Sequence, residues 1–402
     1  MRAAPAIRPP SSLPHRTLLV LLALLGVEEV LLFGEAFLRR HHVGGDFGAF
    51  YAVSLLLHSG RTDLIGSPAA LRRIAEELVG WTFGGEYHWP YPPMARLVVY
   101  PLALVPTGWA YAAAMGVGIA AYLSAVFRIV GARWEVALAA LVFPGLQLTL
   151  VYGQVTFLTA ALLGWGLALL PAAPLRAGVL LGLLSFKPHL AILLPVALVA
   201  GRRWRAALAA SATAAGFALL ATVTFGWQAW TDFFRAARAF EPVLATEAVK
   251  HLTYQSVFTA VRLAGGGVAV AWAAQAVVAG GAAACVWRAW SGDATDEVKA
   301  AVVAVGSMLV TPHLGDYDLT LLAIPIAFFV RDALARGWRG REPLLLLAAG
   351  IAPMVARYSS RSLHLALGPW VAIALLWAVM RRAPLAIPRG SSEATGATSP
   401  AG

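Results

Sequence analysis

Apolar runs of about 18 residues or more recur along this chain, each long enough to cross the hydrocarbon core of a bilayer as a helix. No other feature limits the fold so strongly, because lipid admits only structures that satisfy their own backbone hydrogen bonds. Of the 402 residues, 59% are hydrophobic and 13% charged. A soluble chain of this size carries about twice that charged fraction. The expectation is an all-α polytopic membrane protein of about 12 (roughly 11–13) transmembrane helices.

Residues 1–16 are short, Pro-rich and basic through Arg2, Arg8 and Arg16, and they predict a cytoplasmic tail. The run 17–38 is too long for a signal-peptide core and reads as an uncleaved first span. Glu28 and Glu29 lie within it, with Glu35 at its interface. Residues 39–106 form a first long outer loop. There a helix from Phe47 to about Ser59 is expected to lie amphipathic along the membrane surface, stopped by Gly60, and Ser67-Pro68 opens a second surface helix. His88-Trp89-Pro90-Tyr91-Pro92-Pro93 makes a rigid aromatic turn, and Met94–Pro106 is too short to cross, hence re-entrant or interfacial.

Further runs fall at about 107–130, 134–152, 155–171, 174–186, 188–200 and 204–226. After a second long outer loop, 227–267, they resume at about 268–290, 298–312, 318–331, 343–356 and 364–380. The domain organisation is thus one membrane domain, 17–382, followed by a disordered tail, 383–402, rich in Ser, Gly, Pro and Ala.

The net charge of +11 does not point to nucleic acid, because the basic residues concentrate in short loops that orient spans, such as those holding Arg202, Arg203 and Arg205 or Arg381 and Arg382. The orientation this gives leaves both termini inside. The single cysteine, Cys285, excludes a disulfide framework. There is no Walker loop, no dinucleotide glycine fingerprint and no Gly-x-Ser-x-Gly elbow.

This topology gathers the uncommon polar residues on the outer side: Asp46, Glu86, His88, Tyr91, Gln154, Lys187, His189, His251, Tyr254, Gln255, His313, Asp316, Asp318, Arg357, Arg361 and His364. Such a grouping is what a binding or catalytic cleft would produce. Plainer readings stand beside it. Asp46 also suits a helix cap, Lys187 a snorkelling anchor as well as an anion site, and Gln154 a helix–helix contact. His251 and Tyr254 read as surface residues, and Trp227 with Trp230 as an interfacial belt. His313, Asp316 and Asp318 are metal-ligand types, but no second cluster completes a coordination shell and no metal is expected.

The order of short motifs resembles glycosyltransferase family 87. They are Asp46-Phe-x-x-Phe-Tyr51 after the first run, Tyr91-Pro92-Pro93, Gly153-Gln154, Lys187-Pro188, then Thr311-Pro312 with Asp316-Tyr317-Asp318. The resemblance implies a GT-C membrane fold and an inverting transfer of mannose from a polyprenyl-phosphate donor to an acceptor hydroxyl. It implies that the reaction takes place on the outer face of a bacterial inner membrane, with no cofactor and no required metal. It puts Asp46 in the place of the general base. Lys187, with Arg357 or Arg361, would stabilise the departing phosphate. Tyr51, His88, Trp89, Tyr91, Gln154, His189, His313, Asp316 and Asp318 become candidates for sugar or acceptor contact. The expected partners are the lipid-linked donor, a glycolipid or polysaccharide acceptor and membrane lipid. One departure from the family's pattern is Asp316-Tyr317-Asp318 where better-known members carry a Trp-and-His run. A transporter or lipid-linked-sugar flippase is the alternative, since it too would hold ionisable groups in a membrane cavity.

Overall fold

The computed structural model describes residues 45–79, 87–250 and 253–384. The expected first span with Glu28, Glu29 and Glu35, the N-terminal tail, Glu86, His251 and nearly all of the expected C-terminal tail lie outside them. The described residues form α-helices and short 3₁₀ turns, with one isolated antiparallel bridge, Tyr254 to Gly315, as their only strand-like pairing.

The first outer segment carries α1 (Gly45–His58), α2 (Pro68–Val79) and α3 (Pro93–Val99), the last running into a 3₁₀ turn over Tyr100–Leu104. Next come α4 (Thr107–Val130), α5 (Trp134–Leu141), α6 (Pro144–Tyr152), α7 (Thr156–Leu169), α8 (Pro174–Leu183), α9 (Leu194–Ala200) and α10 (Trp204–Phe225). The second outer segment contains α11 (Gln228–Lys250) and α12 (Val257–Leu263). The chain ends in α13 (Val268–Ser291), α14 (Asp296–Val310), α15 (Ala323–Arg336), α16 (Glu342–Leu363) and α17 (Gly368–Met380).

Among the described residues four helices, α4, α10, α13 and α16, are long and apolar enough to cross a membrane. The pair α5 and α6, bent by 51°, makes a fifth if it is one broken span. Proline explains the bend, since Pro144 opens α6 and the residue before a proline is driven out of helical geometry. The other apolar helices have fewer residues than a straight crossing needs. The count of about 12 crossings therefore stays an expectation.

α14 is the axis of the bundle, with every residue from Ala300 to Leu309 buried. Thr295 caps it by accepting from the Val298 amide at 3.3 Å, and Asp296 and Glu297 complement the positive end of its dipole. α8 packs on α10 through glycine, because a Cβ on Gly178 or Gly182 would run into the Ala206 or Ala210 carbonyl.

Two expectations need correction. α1 is not a surface helix: Phe47, Ala49, Phe50, Tyr51, Ala52, Val53, Ser54 and Leu56 are all buried, so apolar neighbours surround it on almost every side. The spacing read as one apolar face was the visible part of a helix that is apolar nearly all round. Arg382, read as a loop charge that sets orientation, is instead buried. Its guanidinium donates to Asp332 Oδ2 at 2.8 Å, to the Gly337 carbonyl at 2.9 Å and to both oxygens of Glu342, over the ring of Phe329. Arg336 and Thr295 complete the cluster on Asp332. Arg382→Met leaves Glu342 without its cation, and the expected loss is about 3–5 kcal/mol of folding stability, read as a lower melting temperature in detergent.

Candidate active site

Eight residues predicted from positions 46 to 318 meet around one cavity of about 380 Å³: Asp46, His88, Tyr91, Gln154, Lys187, His189, His313 and Asp318. Each arrives by a local device. Asp46 lies in the first turn of α1, where it does not act merely as a cap but uses both carboxylate oxygens across the cavity wall. Gly153 ends α6 at φ +68°, a left-handed conformation that costs glycine little, and so turns Gln154 toward Asp46. Lys187-Pro188 breaks the run between α8 and α9 into two 3₁₀ turns, which places Lys187 at the break. Thr311-Pro312 terminates the buried α14 and delivers His313.

The centre is an array of buried charge. Gln154 Nε2 donates to Asp46 Oδ2 at 2.5 Å and the Tyr87 hydroxyl to Oδ1 at 2.9 Å. Lys187 Nζ lies 2.6 Å from Asp318 Oδ1, with the two side chains 2% and 1% exposed. Asp318 also accepts from Thr156 Oγ1 at 3.1 Å and from the Gly315 amide at 3.2 Å. The Lys187 ammonium faces the Tyr317 ring at 5.4 Å. The anchor reading of Lys187 is therefore corrected, since a snorkelling ammonium ends in water and this one ends on a carboxylate.

Burial pushes the Asp46 carboxyl above its ordinary range, against the hydrogen bonds from Gln154 and Tyr87 and the charge of Lys187. Burial drives His189 well below the usual imidazole value, helped by Lys187, and takes His313 down to about 4, so both imidazoles are neutral at physiological pH. His189 Nε2, His313 Nδ1 and Gln154 Oε1 are buried without a protein partner among the described residues, leaving polar atoms for a ligand.

Other candidates stand outside the cavity lining. Tyr51 gives its hydroxyl to the Val105 carbonyl at 2.9 Å. Trp89 packs behind the wall, its ring 4.7 Å from Tyr91 and 5.7 Å from Phe50. Asp316 is buried against Arg357, whose Nε lies 2.9 Å from its Oδ2, while Arg357 also covers the Tyr152 ring. Arg361 is exposed on α16. Asp316 and Asp318 thus bind two different cations and do not converge.

Sequence reasoning missed Tyr87 and the lining side chains Phe233 and Phe240 of α11, and it placed Tyr254 on the surface. Tyr254 lines the cavity because its backbone pairs with Gly315 and is drawn inward. Asp232 of α11 reaches the buried Arg96 at 3.5 Å, and the Trp230 indole N–H donates to Thr222 Oγ1 at 2.8 Å. These contacts hold α11 along one side of the cavity. Beneath Tyr317, Thr149 Oγ1 meets Thr320 Oγ1 at 2.8 Å and the Tyr317 carbonyl at 3.2 Å. Thr320 in turn donates to the Gly145 carbonyl at 2.5 Å, and a Cβ on Gly145 would strike the Thr320 backbone. A separate apolar cleft of about 610 Å³ opens between α4, α5, α15 and α16.

The model of glycosyltransferase family 87 matches residues 89–312, more than half of the chain. The matched stretch holds Tyr91, Gln154, Lys187 and His189; Asp46, Tyr87 and Asp318 flank it. Comparison with curated proteins and with solved structures returns no match. An all-α membrane chain that draws these matched residues into one buried polar cavity belongs to glycosyltransferase family 87 and is a transferase.

Proposed function

We propose that the protein transfers a hexose, best read as mannose, from a polyprenyl-phosphate donor to an acceptor hydroxyl on the extracytoplasmic side of a bacterial inner membrane, with inversion and without a metal. The observation that carries this reading is the Asp46 carboxylate, half-buried at the cavity wall and held by two neutral donors, with no cation among the described residues directly on it. A carboxylate so held is a base that retains free lone pairs for an incoming hydroxyl.

In the proposed step the acceptor oxygen attacks the anomeric carbon from the face opposite the phosphate. Its proton passes to Asp46, and the electron pair of the breaking C–O bond leaves with the phosphate. That leaving group needs positive charge and hydrogen bonds rather than a proton. Lys187 is the cavity cation for it, reached by sharing with Asp318, and the neutral His189 and His313 supply further polar atoms. Arg357 and Arg361, outside the lining, act at most through the surrounding field. Tyr91, His88 and Phe240 offer flat faces for a sugar ring, with Phe240 5.4 Å from His313 and 6.0 Å from His88.

The test gives purified protein in lipid nanodiscs a polyprenyl-phosphate-mannose labelled in the sugar, together with a lipid extract of a bacterial envelope. A labelled glycolipid of inverted anomeric configuration is expected. Donor that crosses a vesicle wall without forming product would favour the flippase alternative instead.

A further inference from the structure

Resting on Asp46 as the base of that reaction, we propose that Tyr87 is a positioning residue: its phenol O–H holds the Asp46 carboxylate in orientation and in the ionised state that accepts the proton. Tyr87 precedes the family-matched residues and had no role in the sequence reading.

The geometry is a two-point clamp. Oδ1 accepts from Tyr87 at 2.9 Å and Oδ2 from Gln154 Nε2 at 2.5 Å. The donors come from unrelated parts of the chain, one ahead of the His88–Pro93 turn and one behind Gly153, so the carboxyl group cannot rotate without breaking a bond. Each oxygen keeps a second acceptor site for a substrate hydroxyl.

The clamp also opposes burial. Desolvation favours the protonated acid, which cannot act as a base, and hydrogen bonds donated to the ionised form oppose it. Of the charges that face Asp46, Lys187 favours ionisation and Asp318 disfavours it, while the pair Asp316 and Arg357 lies beyond. The phenols of Tyr91, Tyr254 and Tyr317 stand around it as neutral groups. None of these is Tyr87's bond, so removing the Tyr87 hydroxyl changes one contribution of known sign. Tyr87 itself stays a donor, because burial and the neighbouring Asp46 raise its own pKa far above that of an ordinary phenol.

The measurement is the pH dependence of transfer by the full chain in nanodiscs. Loss of a donor to the carboxylate raises the pKa of Asp46, so Tyr87→Phe is expected to move the acid limb of kcat to higher pH by about one unit. Donor KM is expected to stay within about twofold. Replacing Tyr87 with 3,5-difluorotyrosine keeps the shape and strengthens the donor, so the limb is expected to move to lower pH; this variant decides the matter if Tyr87→Phe does not fold. A rate lowered equally at every pH, or a limb that stays put in both variants, overturns the proposal. Asp46→Asn in the same assay separates the two failures. If it transfers as well as wild type, the assignment of the base is wrong. If it is inactive while the Tyr87 variants leave the limb unmoved, only the role of Tyr87 is wrong.

Discussion

Asp46→Asn is expected to lower the rate of sugar transfer by about 10²–10⁴-fold, the usual worth of a positioned general base, with donor binding retained. The site suits this substitution as a clean probe. Asparagine has the shape of aspartate, and its carbonyl oxygen can keep the bond from Tyr87 on the Oδ1 side. On the other side its amide would face Gln154, whose Oε1 is buried without a partner and becomes the acceptor once the side-chain amide turns over. The variant therefore loses basicity while its hydrogen bonds are rearranged rather than lost. In the wild type, burial raises the Asp46 pKa, so activity is expected to fall on the acid side at a pH above the ordinary carboxylate range and to be fully present above it. A kcat profile flat through that range would contradict the role of Asp46.

Lys187→Met is expected to do two things that a second substitution separates. It strands Asp318, which is 1% exposed, and removing one partner of such a pair costs about 3–5 kcal/mol of stability. It also removes the cavity's cation, so donor KM is expected to rise by about tenfold or more, in proportion to a lost charge-assisted bond. Lys187→Met with Asp318→Leu removes both charges and is expected to recover much of the melting temperature but none of the donor affinity. Recovery of both would make the pair a structural element alone. Asp318→Asn is expected to have the opposite effect on binding, since a lysine freed of its carboxylate meets the donor phosphate with no competitor.

Much of the site could be read in the sequence because unusual residue types marked it. A lysine between two short apolar runs, a glutamine after a glycine and an aspartate after a first span each break the pattern that lipid imposes. The proline and glycine breaks that set Lys187, Gln154 and His313 in place were equally visible. What escaped was carried by ordinary residues. A tyrosine is common near membrane interfaces, so Tyr87 gave no signal, and only its distance from Asp46 identifies it. Phe233, Ala237 and Phe240 stand four and three residues apart, the spacing of one helical face. That spacing was there to be seen, within a segment read as a polar loop. Tyr51 and Trp89, also expected at the site, stand outside the lining for the converse reason: an aromatic beside a motif is as often packing as contact, and these two are buried. The two aspartates of Asp316-Tyr317-Asp318 look equivalent in sequence, yet their cations lie in different helical segments, Lys187 at the break before α9 and Arg357 on α16.

Hydrogen bonds rather than apolar contacts join Thr149, Thr320 and Gly145, and Thr149 carries the chain of bonds on to the Tyr317 carbonyl. Tyr317 lines the cavity, so this polar tie, and not grease, keeps one aromatic wall of the chamber from sliding. Cutting the tie with Thr149→Ala and Thr320→Ala is expected to loosen that wall, seen as a lower melting temperature in detergent.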